Sequence, residues 1–138
     1  MQRVLHNPST DPGARKGLAV VELAICLPLM VMLTFGAIEA ANAIYLKQTL
    51  VTAAYEAARS ATALGGTQAD GEVRYAEIVS AIGMQGAAIT FNPPITSNTA
   101  SGTAIKVTVT APADSNSFSI RRFMKGTTLR GTVTMPKL

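Results

Sequence analysis

Of the 138 residues, those able to do chemistry are few and scattered. There is one His, His6, and one Cys, Cys26, which excludes a His cluster, a Cys-based metal site and an intramolecular disulfide framework. Ser and Thr are plentiful, but none is paired in sequence with a visible base, and Gly65-Gly66 and Gly102 do not form a phosphate-binding loop. Asp70, Glu72 and Glu77 could pass for a carboxylate site. A helix cap followed by a solvated helix face explains them with fewer assumptions. The expectation is a non-enzyme with no cofactor and no metal.

One carboxylate stands out by its surroundings. From Leu23 to Ile38 no residue is charged, and from Gly17 to Ile38 Glu22 is the only charge. A carboxylate inside a membrane-length apolar run costs about 2.5–3.5 kcal/mol at the helix centre, less near an end, and tends to mark function. Arg15-Lys16-Gly17 lies just upstream, so a break after Gly17 would place a new α-amino group on Leu18, one helical turn from Glu22. This order of residues resembles the type IV prepilin peptidase signal, in which a small residue precedes the cleaved bond. The resemblance implies that Glu22 neutralises the N-terminal amine of a neighbouring subunit, with Leu18 where Phe is frequent. Two other readings compete. A secretory signal would use Arg15-Lys16 as its basic region and Ala41-Asn42-Ala43 as its cleavage site, but the apolar run exceeds the usual length and helical patterning continues through that site. A plain transmembrane anchor would leave Glu22 at headgroup level.

The elements that must position these residues follow from hydropathy. The chain is 48% hydrophobic but only 5% aromatic and 14% charged, and its mean hydropathy is +0.28. Charge is low against the roughly 25% of a soluble domain, and the N-terminal run holds most of the apolar excess. Gly17–Ile38 supplies the roughly 20 helical residues that a bilayer core needs, with Arg and Lys only on its N-terminal flank. The positive-inside rule puts the N-terminus in the cytoplasm and the remainder outside. Pro28 removes the hydrogen bond to the Ala24 carbonyl and should kink the helix.

Helical spacing then continues through Ala43, Leu46, Leu50, Ala54, Ala57, Ala61 and Leu64, and Gly65-Gly66 ends it. A helix from Leu18 to Leu64 would be roughly 70 Å long at 1.5 Å per residue, longer than the bilayer is thick. Thr67-Gln68-Ala69-Asp70 reads as a capping box opening a second helix over about 70–84, with Tyr75, Ile78, Val79 and Ile82 on its apolar stripe. Period-two alternation at Ala87/Ile89/Phe91, Ile105/Val107/Val109 and Leu129/Gly131/Val133/Met135 predicts a three-stranded antiparallel sheet with one buried face. Residues 92–94, 97–103 and 112–117 read as loops. The expected fold is α+β, divided as 1–17 leader, 18–64 transmembrane and extended helix, and 65–138 small exported domain. Seventy-four residues are marginal for an independent core, so the sheet should pack on the outer half of the first helix.

Net charge is +4, but no basic helix emerges. Arg121, Arg122 and Lys125, with Phe118 and Phe123 nearby, form the densest basic cluster, and a solvated or membrane-facing patch is favoured over a nucleic-acid site.

The stretch Arg15-Lys16-Gly17-Leu18-Ala19-Val20-Val21-Glu22-Leu23-Ala24, then Leu27-Pro28-Leu29 and Gly36-Ala37-Ile38-Glu39, resembles the TadE-like family. Tyr45, Gln48, Ala53-Ala54 and Glu56-Ala57-Ala58-Arg59 continue the resemblance, which covers about residues 15–60. Departures are Leu23, where Phe or Tyr is common, and Thr134-Met135-Pro136-Lys137, where the family often has Met-Arg. The resemblance implies a type IV pilin-like fold and a minor pilin or pseudopilin of the tight-adherence (Flp) pilus. Its expected partners are a prepilin peptidase, other pilins, the inner-membrane pilus platform and membrane lipid, with no nucleic acid. Length favours a TadE or TadF type over TadG. The alternative from another class is a membrane-anchored binding or adhesin domain with no pilus role.

Overall fold

The computed structural model describes residues 12–116 and 125–138, with side chains from Gly17 onward. Helix α1 runs Pro12–Thr62, α2 Gln68–Ile82, strand β1 Ala88–Asn92, β2 Ala104–Pro112, the short α3 Ala113–Asn116, and β3 Thr128–Pro136. The chain divides into two compact units, Met1–Gly36 and Ala37–Leu138. The fold is α+β with a long apolar N-terminal helix, as expected.

In the first unit the described residues belong to α1. Its described part runs from Pro12, so helical structure is already present upstream of Leu18. Helical structure continues through Pro28. Proline has no N–H for the Ala24 carbonyl, and the surrounding ladder carries the helix past it. The apolar side chains stay outside: Leu18 is 71% exposed, and Leu23, Leu29, Met32 and Leu33 are all open. Gly17–Thr62 contains a window of mean hydropathy 2.4, long and apolar enough to cross a membrane. Helix α1 therefore carries a candidate membrane span.

In the second unit the later part of α1 forms one wall of the core. Leu46, Leu50, Ala53, Ala54, Ala57 and Ala58 pack with Ile105, Val107, Val109 and Ala111 of the central strand. The strands lie in the order β1-β2-β3, all antiparallel. Ile89 pairs with Val109, and Val107 with Val133, so the alternating apolar residues share one face. The alanines of α1 permit unusually close approach. A Cβ on Gly71 of α2 would meet the Ala57 carbonyl oxygen and the Ala61 Cβ, each at 2.8 Å. A Cβ on Gly131 of β3 would overlap the backbone of Leu50 and Val51.

Thr67 caps α2 as the spacing predicts. Its amide donates to Asp70 Oδ2 at 2.8 Å and the Asp70 amide donates to Thr67 Oγ1 at 3.3 Å, a reciprocal capping box. The Thr67 hydroxyl, which also donates to Asp70 Oδ2 at 2.7 Å, and secondly the Thr67 amide hold the exposed Asp70 carboxyl below the ordinary aspartate range. A carboxyl depressed in the folded state adds stability above its unfolded pKa, about 3.9, and loses it as pH falls through the lower folded value. Below about pH 4, melting temperature should therefore fall less steeply for Asp70→Asn than for the unaltered protein. Equal acid dependence in a thermal melt would remove Asp70 from the balance.

Three local expectations change. Helix α1 ends at Thr62, and Leu64, the last residue of the expected stripe, is 88% exposed beyond it. Ile82 at the end of α2 is 45% exposed, because Gly83 turns the chain in the left-handed region just after it. Residues 113–116, expected as part of a loop, form the helical turn α3. The cause is Asn116, whose Oδ1 accepts from the Gln85 amide at 2.7 Å while its Nδ2 donates to the carbonyls of Gln85 and Pro112 at 2.8 Å each. Arg121 and Arg122 lie outside the described residues, and Lys125 of the same cluster is exposed.

The end of the chain closes α1. Lys137 is buried, and its Nζ donates to the carbonyls of Ala63 and Gly66, both at 2.9 Å. The Leu138 amide donates to the Thr62 carbonyl at 2.9 Å. Carbonyls that a helix leaves without partners are thus met by the residues after β3. Lys137→Met keeps the stem and removes the ammonium. It should cost about 2 kcal/mol, the worth of charge-assisted bonds to buried acceptors. Denaturant unfolding checks this, and a midpoint unchanged from wild type would refute it.

Candidate functional site

The candidate site is the start of the apolar part of α1. Gly17 lies on an open helix surface, where an added Cβ would meet nothing within 4 Å. Leu18 follows, also open. Glu22, one turn further, is exposed. Helical geometry puts residues i and i+4 on the same face, so the Leu18 backbone and the Glu22 side chain occupy neighbouring positions. Among the described residues no hydrogen bond or ion pair of Glu22 is found within the chain. A carboxylate on an apolar helix surface is therefore available to a group from outside. Arg15 and Lys16 lie within α1, and their side chains are outside the described residues.

The other carboxylates have local uses. Asp70 is committed to the capping box, Glu72 accepts from Gln68 Nε2 at 2.8 Å, and Glu77 pairs with Arg74 at 3.0 Å. Arg74 also reaches Glu56 at 3.5 Å, joining α2 to α1. The Glu77 hydrogen bond, ahead of the other contacts, raises the Arg74 pKa above its ordinary value. These are exposed pairs of small energetic worth. Among the described residues no three His, Cys, Asp or Glu side chains gather as a metal site. Cys26 is exposed on the apolar helix. A cleft of about 150 Å³ between α1, the end of α2 and α3 is lined by Tyr45, Leu46, Thr49, Ile82, Met84 and Asn116.

Glu39 is the functional-looking residue that sequence reasoning placed only within a motif. It is 5% exposed, at the beginning of the second unit. A carboxylate in that position, directly after sixteen uncharged residues, was the available signal.

Residues 17–59 match the family model described as TadE-like protein. The likeness to that family covers 43 of the 138 residues. Its match opens on Gly17, includes Glu22, Pro28 and Glu39, and closes on Arg59, three residues before α1 ends. The TadE-like segment is thus contained in one helix and supplies Leu46, Leu50 and four alanines to the core. Neither the curated proteins nor the solved structures contain a match to the chain. The sheet and α2 lie beyond the TadE-like segment.

Proposed function

We propose that this protein is a minor pilin or pseudopilin that acts structurally in the assembly of tight-adherence pili. The observation that carries the reading is the opening of the TadE-like segment: Gly17, then an uninterrupted apolar helix with an open carboxylate at Glu22. In this reading the N-terminus faces the cytoplasm, α1 is held in the inner membrane, and the Ala37–Leu138 unit is exported. A prepilin peptidase cuts between Gly17 and Leu18, with Arg15 and Lys16 holding the leader on the cytoplasmic side. The helix stays in the mature protein and packs against other pilins, delivered by the inner-membrane platform. No step requires a cofactor.

N-terminal sequencing of membrane-extracted protein tests the reading. The expected mature start is Leu18. Gly17→Asp places a charged side chain beside the cleaved bond, where the open surface around Gly17 gives a protease direct access to the backbone. That variant should keep its 17-residue leader in nearly all molecules. A wild-type protein beginning at Met1 would favour the plain anchor, and one beginning at Ile44 would favour a cleaved secretory signal.

A further inference from the structure

The sheet has a second face, and its composition is unusual. Register places Thr90, Thr108 and Thr132 in one row across all three strands. Thr108 and Thr132 share a hydrogen bond between their hydroxyls at 3.2 Å, and the Thr90 hydroxyl donates to the Thr108 carbonyl at 3.4 Å. The flanking rows are Ala88, Thr110 and Arg130 on one side and Asn92, Lys106 and Thr134 on the other. All nine side chains point away from the core, because their neighbours in each strand form it. Thr108 and Thr110 are half-buried and the other seven are exposed.

The charge on this face has one sign. Strands β1, β2 and β3 contain no Asp or Glu. Asp114 of α3, two residues after β2, accepts from the Gly126 amide at 2.8 Å. The acids of α2 lie on a different element and are engaged there. Lys106 and Arg130 stand on adjacent strands, four residues apart in register. Strand rise and spacing put their Cα positions roughly 14 Å apart.

We infer that this face is a binding surface for an acidic polysaccharide, with Lys106 and Arg130 taking carboxylates and the threonine rows taking sugar hydroxyls. Charge complementarity argues for an anionic occupant. The side chains argue for its class. A protein partner would need aromatic, Met or other large apolar anchors at the centre of the patch, and here the centre is Thr108. A single-stranded nucleic acid would need aromatic rings for its bases, and among the described residues the face has none. A sugar chain with a carboxylate on each unit needs neither. It presents acceptors and donors along its length, which hydroxyls satisfy, and always has some carboxylate near each of two fixed cations.

The test uses the full chain in neutral detergent micelles, passed over immobilised polygalacturonate, its uncharged methyl ester, polyglutamate and single-stranded DNA. Wild type should be retained on polygalacturonate at low salt and not on the methyl ester. Lys106→Gln/Arg130→Gln should weaken retention about tenfold, as loss of two charged contacts predicts. Thr108→Val/Thr132→Val keeps size and β-propensity and should weaken it severalfold while leaving the melting temperature unchanged. Absence of retention, or variants that bind like wild type, would overturn the proposal. So would equal binding of polyglutamate or DNA that ignores the threonine substitutions, since that outcome marks a generic cationic surface. The surface does not depend on pilus assembly: uncleaved Gly17→Asp protein should bind polygalacturonate as wild type does, so this test and that of the leader fail independently.

Discussion

Gly131→Leu should prevent the Ala37–Leu138 unit from folding, and Gly131→Ala should lower its melting temperature by roughly 10–20 °C. Gly131 pairs with Val109 in the central part of β3, where its inward face meets α1. A Cβ there overlaps the carbonyl carbon and oxygen of Leu50 and the amide nitrogen of Val51. Those atoms belong to a helix backbone and cannot swing aside as a side chain would, so the strand and helix must separate. Separation loosens Leu50, Val107 and Val109, three of the largest fully buried side chains. Overpacking typically costs about 1–3 kcal/mol where side chains can adjust, and this contact offers no such adjustment. Leucine adds three more carbons to the same space. Gly36→Ala is the control, since a Cβ at Gly36 meets nothing within 4 Å and alanine favours helix. Circular dichroism melts of the three variants in one detergent decide it. If Gly131→Ala melts with Gly36→Ala and wild type, β3 does not lie against the α1 backbone.

That contact shows how far the sequence could be read. Alternation placed Gly131 on the inward side of a strand, and a glycine inside a strand is a recognised sign of close backbone approach. Which backbone approaches could not be read, because it depends on the pairing of β3 with β2 and on the alanines of α1 facing both. Local chemistry was more legible. Thr67 and Asp70 form their capping box within four residues, so spacing alone specified it. The apolar stripe from Leu46 to Ala61 was visible because 3.6-residue periodicity survives any tertiary arrangement. Lys137 was not, since its acceptors at Ala63 and Gly66 are more than seventy residues away. Helical turn α3 was hidden for the same reason: Asn116 looks like a loop residue until Gln85 is beside it. Of the candidate site, Gly17 and Glu22 were evident as an anomaly of composition, whereas the burial of Glu39 required the second unit to be assembled around it.

Glu22→Gln should leave leader cleavage and membrane insertion intact and abolish crosslinking to other pilins. The substitution keeps side-chain size and removes only the charge. Glutamine is also less costly than glutamate on an apolar helix, so insertion gains if it changes at all. In the proposed reading cleavage acts at Gly17, an open position a turn and a half upstream, where Glu22 makes no contact that the change would remove. Assembly is different. If Leu18 carries a free α-ammonium, as proposed, packing helices together takes that charge out of water. Glu22 is the only acid between Gly17 and Ile38, so a neighbouring subunit has no substitute for it. Leaving a buried ammonium unpaired costs about 3–5 kcal/mol, equivalent to a loss of two to four orders of magnitude in association. The measurement is in-cell crosslinking to other pilins and surface pilus yield, with leader processing scored on the same samples. Processed Glu22→Gln protein that crosslinks and assembles like wild type would show that the helices pack without this charge pair and that Glu22 rests among lipid headgroups.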